Sequence, residues 1–151
     1  TSKDNGYKDT AVTPNKIYSN LPDNVTGKTA SVYEIAKLTK RDVLQVDISS
    51  IQSKWVGESE KNTKAIFQEY YRACEILKSK PILLFNEADA IISKRLDVND
   101  AVSQMNNTMQ NILLEELENF DGIFMATTNL IDNMDDAFSR RFLNKINFNF
   151  V

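Results

Sequence analysis

Lys28 sits between a glycine and a threonine in Thr26-Gly27-Lys28-Thr29, immediately before an apolar periodicity begins. Backbone N–H groups at such a helix start can cradle phosphate oxygens. The lysine then reaches the outer phosphates, and the threonine hydroxyl holds a magnesium ion. Thr26, Gly27, Lys28, Thr29 and Ala30 are the candidate phosphate-binding residues. A surface turn ahead of a helix would carry the same letters. A second stretch, Ile82-Leu83-Leu84-Phe85-Asn86-Glu87-Ala88-Asp89, ends a continuous apolar run in acidic residues. Acidic groups at the carboxyl end of a buried strand lie where open α/β sheets bind ligands. Glu87 can there act as general base toward an attacking water. A solvated strand end is the plainer alternative, disfavoured by its distance after the Gly-Lys-Thr. Met125-Ala126-Thr127-Thr128-Asn129 places Asn129 at the tip of another apolar run, where a polar side chain can orient a water against a phosphate; alone it reads as a turn. Asp136-Ala137-Phe138-Ser139-Arg140-Arg141-Phe142 carries paired arginines. They can cap a helix, bind a carboxylate, or project as a finger onto developing phosphoryl charge.

These residues need a scaffold, and the hydrophobic pattern supplies one. Val32, Ile35, Ala36 and Leu38 mark one face of a helix. Val43, Leu44, Val46 and Ile48 form a β-type run. A helix is expected from about 58 to 78, facing inward with Ile66, Phe67, Tyr70, Tyr71, Cys74 and Leu77. Pro81 opens the run Ile82–Phe85, which suits a strand covered on both faces. A further helix is expected from about 100 to 120, through Val102, Met105, Met109, Ile112, Leu113, Leu117 and Phe120. Gly122–Thr127 reads as a strand, 135–139 as a short helix, and Lys145–Phe150 as a last strand. Strands alternating with helices imply an α/β fold with a doubly wound parallel sheet and helices on both faces. Residues 1–26 are polar and irregular and read as an N-terminal arm; residues 27–151 read as the core.

Taken in order, the four stretches resemble the Walker A, Walker B, sensor 1 and arginine-finger elements of the AAA+ ATPase family. Lys54-Trp55-Val56-Gly57-Glu58-Ser59-Glu60-Lys61-Asn62 adds a fifth likeness, to the first pore loop of the AAA protein-remodelling subgroup. Trp55 could instead be a core residue at a helix start, but hydrophilic neighbours on both sides favour exposure. The resemblance runs from about Gly27 to Phe150. It implies an ATPase using ATP and Mg²⁺, with Glu87 and Asn129 catalytic and Arg140 or Arg141 acting in trans. It also implies a homo-hexamer that threads or remodels protein substrates past Trp55, Val56 and Gly57. The family's Asp before the catalytic Glu is here Asn86, which can meet the metal through a water but brings no charge. The arginine segment lacks the Pro-Gly of the nearest subgroup and is similar to the Arg-Arg-Phe of Clp-type relatives; Arg140 is the favoured finger.

The resemblance also exposes a gap. Pro22, Asp23, Asn24 and Val25 stand where the family has Gly, Pro, Pro and Gly, and Lys16–Leu21 holds no five-residue apolar run. Yet the strand before the phosphate loop lies mid-sheet in this fold. A discontinuity between Leu21 and Gly27 is therefore expected, in preference to a degenerate loop. The small helical lid of the family is expected to be absent, because the sequence stops after the last strand.

Composition narrows the alternatives. The 42% of hydrophobic residues suffices for a core, and a net charge of -3 suits nucleic-acid coating poorly. With no histidine, Ser-His triads and His-ligated metals are excluded. One cysteine, Cys74, permits no internal disulfide and suggests the cytoplasm. No stretch approaches the roughly 18 apolar residues of a membrane span. Two further function classes fit less well: a nucleic-acid-linked AAA+ loader, and a nucleotide-binding module that does not hydrolyse.

Overall fold

The apolar runs become strands because each is flanked by a helix able to cover it. The structure, a computed structural model, describes residues 16–18, 27–48, 58–93, 101–129 and 134–142. In chain order the elements are β1 (Lys16–Tyr18), α1 (Gly27–Thr39), β2 (Val43–Asp47), α2 (Ser59–Ile76), β3 (Ile82–Asn86), α3 (Asp89–Ile92), α4 (Ala101–Glu118), β4 (Ile123–Ala126) and α5 (Asp136–Arg141). The sheet order is β1-β2-β3-β4. β2, β3 and β4 are parallel, with Val43 opposite Ile82 and Ile82 opposite Ile123.

Strand residues alternate between the two faces, and the core divides accordingly. Val43, Ile82 and Leu84 pack with Val32, Tyr33 and Ala36 of α1, joined by Ile123 and Met125. Leu44, Val46, Leu83 and Phe85 pack on the other face with residues of α2, α3, α4 and α5. Every residue of β3 is buried, as expected of a strand covered on both sides. The expected α/β architecture, a parallel sheet with helices on both faces, is therefore present.

Three features differ from expectation. Residues 16–18, expected within an irregular arm, form an antiparallel edge strand pairing Ile17 with Leu44. Three residues are too few to show a period, but they satisfy the backbone groups along the outer edge of β2. Second, Ile35 and Leu38 face out of α1, with Leu38 80% exposed, and the buried stripe is Val32, Tyr33 and Ala36. Third, Ala73 is buried on α2, whereas Tyr71 is exposed. The expected strand Lys145–Phe150 and the expected break between Leu21 and Gly27 lie outside the described residues.

α1 stops by a two-bond C-cap. Arg41 N–H donates to Ala36 O at 2.8 Å and Lys40 N–H to Lys37 O at 3.2 Å, with Lys40 left-handed at φ 58°. This 6→1 and 5→2 pairing is a Schellman motif, and it turns the chain directly into β2.

At the amino ends of the strands, Tyr70 fastens β3 to β4. Its hydroxyl donates to Pro81 O at 2.7 Å and accepts from Ile123 N–H at 3.1 Å. Burial pushes the phenol far above its ordinary pKa, so it remains a donor. Gly122 makes room for it: a Cβ there would lie 2.4 Å from the hydroxyl oxygen. Gly122→Ala must displace Tyr70 and is expected to destabilise the fold by about 1–3 kcal/mol, the range for overpacking. Chemical denaturation of wild type and variant measures it; an unchanged midpoint would show that Tyr70 is not held there.

Candidate active site

At the carboxyl ends of the parallel strands, Asp47 ends β2 and Asn86 ends β3, and the two are Cα partners. Parallel pairing puts both side chains on the α1 face, and Asn86 Nδ2 donates to Asp47 Oδ1 at 3.0 Å. Thr29, in the first turn of α1, is fully buried and donates from Oγ1 to Asn86 Oδ1 at 2.6 Å. Thr127, just after β4, donates to the same oxygen at 2.7 Å. The amide orientation is forced: reversing it would set Asn86 Oδ1 against a carboxylate oxygen. Four residues on from Thr29, on the same helix face, Tyr33 donates to Gln45 Oε1 at 2.6 Å. Gln45 Nε2 in turn donates to Asp47 Oδ1 at 2.9 Å. Both ends of one polar chain thus tie α1 to the sheet.

The mouth of the site is built from the same strand ends. Lys28 Nζ donates to Asn129 Oδ1 at 2.5 Å, joining two residues 101 positions apart in sequence. Asn129 is placed by Asp89, whose Oδ1 accepts from Asn129 N–H at 2.9 Å and from the Thr128 hydroxyl. Glu87 follows β3 with φ 53°, in the left-handed region uncommon for a residue with a side chain. Its N–H donates to Thr127 Oγ1 at 2.9 Å, and Ala88 N–H donates to Thr127 O at 2.9 Å. Thr127 thereby fixes the turn that leaves the Glu87 side chain exposed at the strand tip. Backbone strain at such a position costs on the order of 1 kcal/mol and clusters at functional sites.

Of the residues expected from sequence, Lys28 is thus bonded to Asn129 and Thr29 to Asn86, with Glu87 next to Asn86 at the end of β3. Gly27 and Ala30 lie in the first turn of α1 beside Thr29. Thr26, Trp55, Val56 and Gly57 lie outside the described residues. Arg140 and Arg141 occupy α5, which is seated by the fully buried Phe138 and by Phe142 stacked on Phe124 with centroids 5.8 Å apart. Asp135 caps this helix by accepting from Ala137 N–H at 2.9 Å. Arg141 pairs with Glu118 at 3.2 Å and donates to Ala137 O at 3.1 Å. Arg140, roughly 200° around the helix from Phe138, is exposed and forms no ion pair among the described residues. Sequence reasoning passed over Asp47, Thr127 and Asp89 as site residues. Asp47 was visible only as a charge at the end of an apolar run.

The donor set fits Mg²⁺ and a polyphosphate. Magnesium keeps most of its waters and takes one or two protein ligands plus phosphate oxygens. A buried threonine hydroxyl beside an amide oxygen at a helix start suits that role. Among the described residues no group of three or more His, Cys, Asp or Glu forms a metal cage. No described helix is long and apolar enough to cross a membrane.

Comparison with known proteins gives the family. The model of the "ATPase family associated with various cellular activities (AAA)" matches residues 23–150. The chain is 32% identical over 126 residues to Cell division protein C of Sulfolobus acidocaldarius, covering 80% of this chain and 33% of that protein. It is 31% identical over 132 residues to the Spastin homolog of Caenorhabditis elegans, covering 82% of this chain and 24% of that one. It is 32% identical over 123 residues to the Vesicle-fusing ATPase of the same organism, covering 76% and 15%. The chain thus spans a third or less of the length of these relatives. Among solved structures, the crystal structure of the FIGL-1 AAA domain superposes with a TM-score of 0.57 at 29% identity, covering 78% of this chain and 37% of that one. The chain belongs to the AAA ATPase family.

Proposed function

We propose that this domain binds Mg·ATP between α1 and the carboxyl ends of β3 and β4 and hydrolyses it to drive work on a protein substrate. The observation that carries the reading is the convergence of Lys28 on Asn129 and of Thr29 on Asn86. Family membership supports it. Bound Mg·ATP supplies the electrophilic γ-phosphorus and a neutralised leaving group. Lys28 places a fixed positive charge at the outer phosphates, and the N-terminus of α1 adds backbone donors. Thr29 offers its hydroxyl oxygen to the metal. Glu87 accepts the proton of the attacking water, and Asn129 orients that water from the opposite strand tip.

Arg140 acts on the nucleotide of a neighbouring subunit, and the working assembly is a homo-hexamer. Its exposed place on a well-seated helix supports this, whereas Arg141 is already engaged with Glu118. Trp55, Val56 and Gly57 line the central channel and grip the polypeptide. The domain spans 27–151, works in the cytoplasm, and needs no nucleic acid.

Two substitutions in the full-length protein separate binding from work. Lys28→Ala is expected to weaken ATP binding at least tenfold by titration with a fluorescent nucleotide; unchanged affinity would move the phosphate site elsewhere. Trp55→Ala is expected to keep ATP turnover within about twofold of wild type while losing unfolding of a tagged protein substrate. Retained unfolding would remove the pore-loop assignment.

A further inference from the structure

Thr29 and Asn86, the pair that faces the cation in the reading above, are both neutral. A divalent ion transferred from water to a partly buried site needs compensating negative charge. The nearest carboxylate to that pair in the hydrogen-bond network is Asp47, which accepts from Asn86 Nδ2 at 3.0 Å. Two neutral amides, Gln45 and Asn86, aim at its Oδ1, and the Tyr33 hydroxyl fixes Gln45. We propose that Asp47 is a positioning residue that supplies the Mg²⁺ site's protein charge through Asn86. Accepting from Nδ2 draws the amide toward its charge-separated form and leaves more negative charge on Oδ1, the oxygen beside Thr29. Hydrogen-bonded chains polarise one another in this way. Partners that orient and polarise a metal-facing group typically contribute 10–100-fold to metal affinity. The carboxylate also locks the amide orientation, since the flipped amide would meet it oxygen to oxygen. Asp47 ends β2, one strand away from β3 and β4, and is not itself a nucleotide contact in this reading.

The inference rests on the Mg·ATP reading, and its test separates the two. The full-length protein is titrated with MgCl₂ in the presence of fluorescent ADP, and binding of the same ADP is measured in EDTA. Asp47→Asn keeps an acceptor for Gln45 and Asn86, so the fold and the affinity in EDTA are expected to stay unchanged. The Mg²⁺ midpoint is expected to rise about 10–100-fold. The transposed double variant Asp47→Asn/Asn86→Asp keeps the hydrogen bond and moves the charge onto the strand that faces the cation. Its midpoint is expected to fall below that of wild type, and it decides the matter should Asp47→Asn fail to fold. An unchanged midpoint in Asp47→Asn, or a transposed variant at or above the wild-type midpoint, overturns the role of Asp47 while leaving Mg·ATP binding intact. Wild-type protein whose ADP binding ignores Mg²⁺ overturns both.

Discussion

Glu87→Gln is expected to hold ATP and scarcely hydrolyse it. The substitution keeps the size of the side chain at a position whose backbone is left-handed, φ 53°, and it removes the carboxylate proposed to take the proton. Lys28 and Thr29, the groups proposed to hold the phosphates and the metal, are left in place, so affinity for ATP should remain within about threefold of wild type. General-base catalysis contributes roughly 10²–10⁴ in rate, so turnover should fall by that factor, or about 3–5 kcal/mol of barrier. Single-turnover hydrolysis alongside equilibrium binding measures both quantities. Turnover at the wild-type rate would remove Glu87 from the chemistry. Loss of binding together with turnover would instead assign it a structural role at the strand tip. Glu87→Gly offers an internal check. It relaxes the strained backbone, so thermal stability should not fall even though turnover does.

Arg140→Ala is expected to have the largest effect on rate. An arginine finger contributes about 10³–10⁵ in related phosphoryl-transfer enzymes. Arg140 is exposed on a helix whose seat is fixed by Phe138 and Phe142, so removing it should leave the fold untouched. Arg141→Ala should behave differently. It breaks the pair with Glu118 and should cost at most about 1 kcal/mol of stability, with a small rate effect. With Arg140 acting in trans as proposed, mixing Arg140→Ala with Glu87→Gln subunits should regenerate some activity at interfaces combining an intact base with an intact arginine. Full activity from a verified monomer would contradict the assignment.

Much of this site was legible in the residues because chemistry and burial coincide there. The run Ile82–Phe85 suited a strand covered on both faces, which put Asn86 and Glu87 at the carboxyl edge of a sheet, and β3 is such a strand. Gly27-Lys28-Thr29 opens α1, and Met105, Met109 and Leu113 face inward on α4 as their spacing required. Helix limits fell within about two residues, with α2 at Ser59–Ile76 and α4 at Ala101–Glu118. What escaped was decided by tertiary partners. Tyr33 reads as an aromatic off the expected stripe, yet it is buried against Val43, Ile82 and Leu84 of the sheet, with its hydroxyl bonded to Gln45 of β2. Ile35 and Leu38 fit a helical period, but the covered face of α1 is set by where Thr29 must reach Asn86. Asp47 and Asn86 are 39 positions apart, and only the parallel register of β2 and β3 makes them neighbours.

Whether these strand ends form an ATPase site is decided most directly by phosphate release from the full-length protein, with and without Mg²⁺. The expected result is steady Mg²⁺-dependent release of inorganic phosphate from ATP, lost in EDTA and reduced at least a hundredfold in Lys28→Ala. No release from folded, assembled wild-type protein, or equal release from Lys28→Ala, would contradict the account.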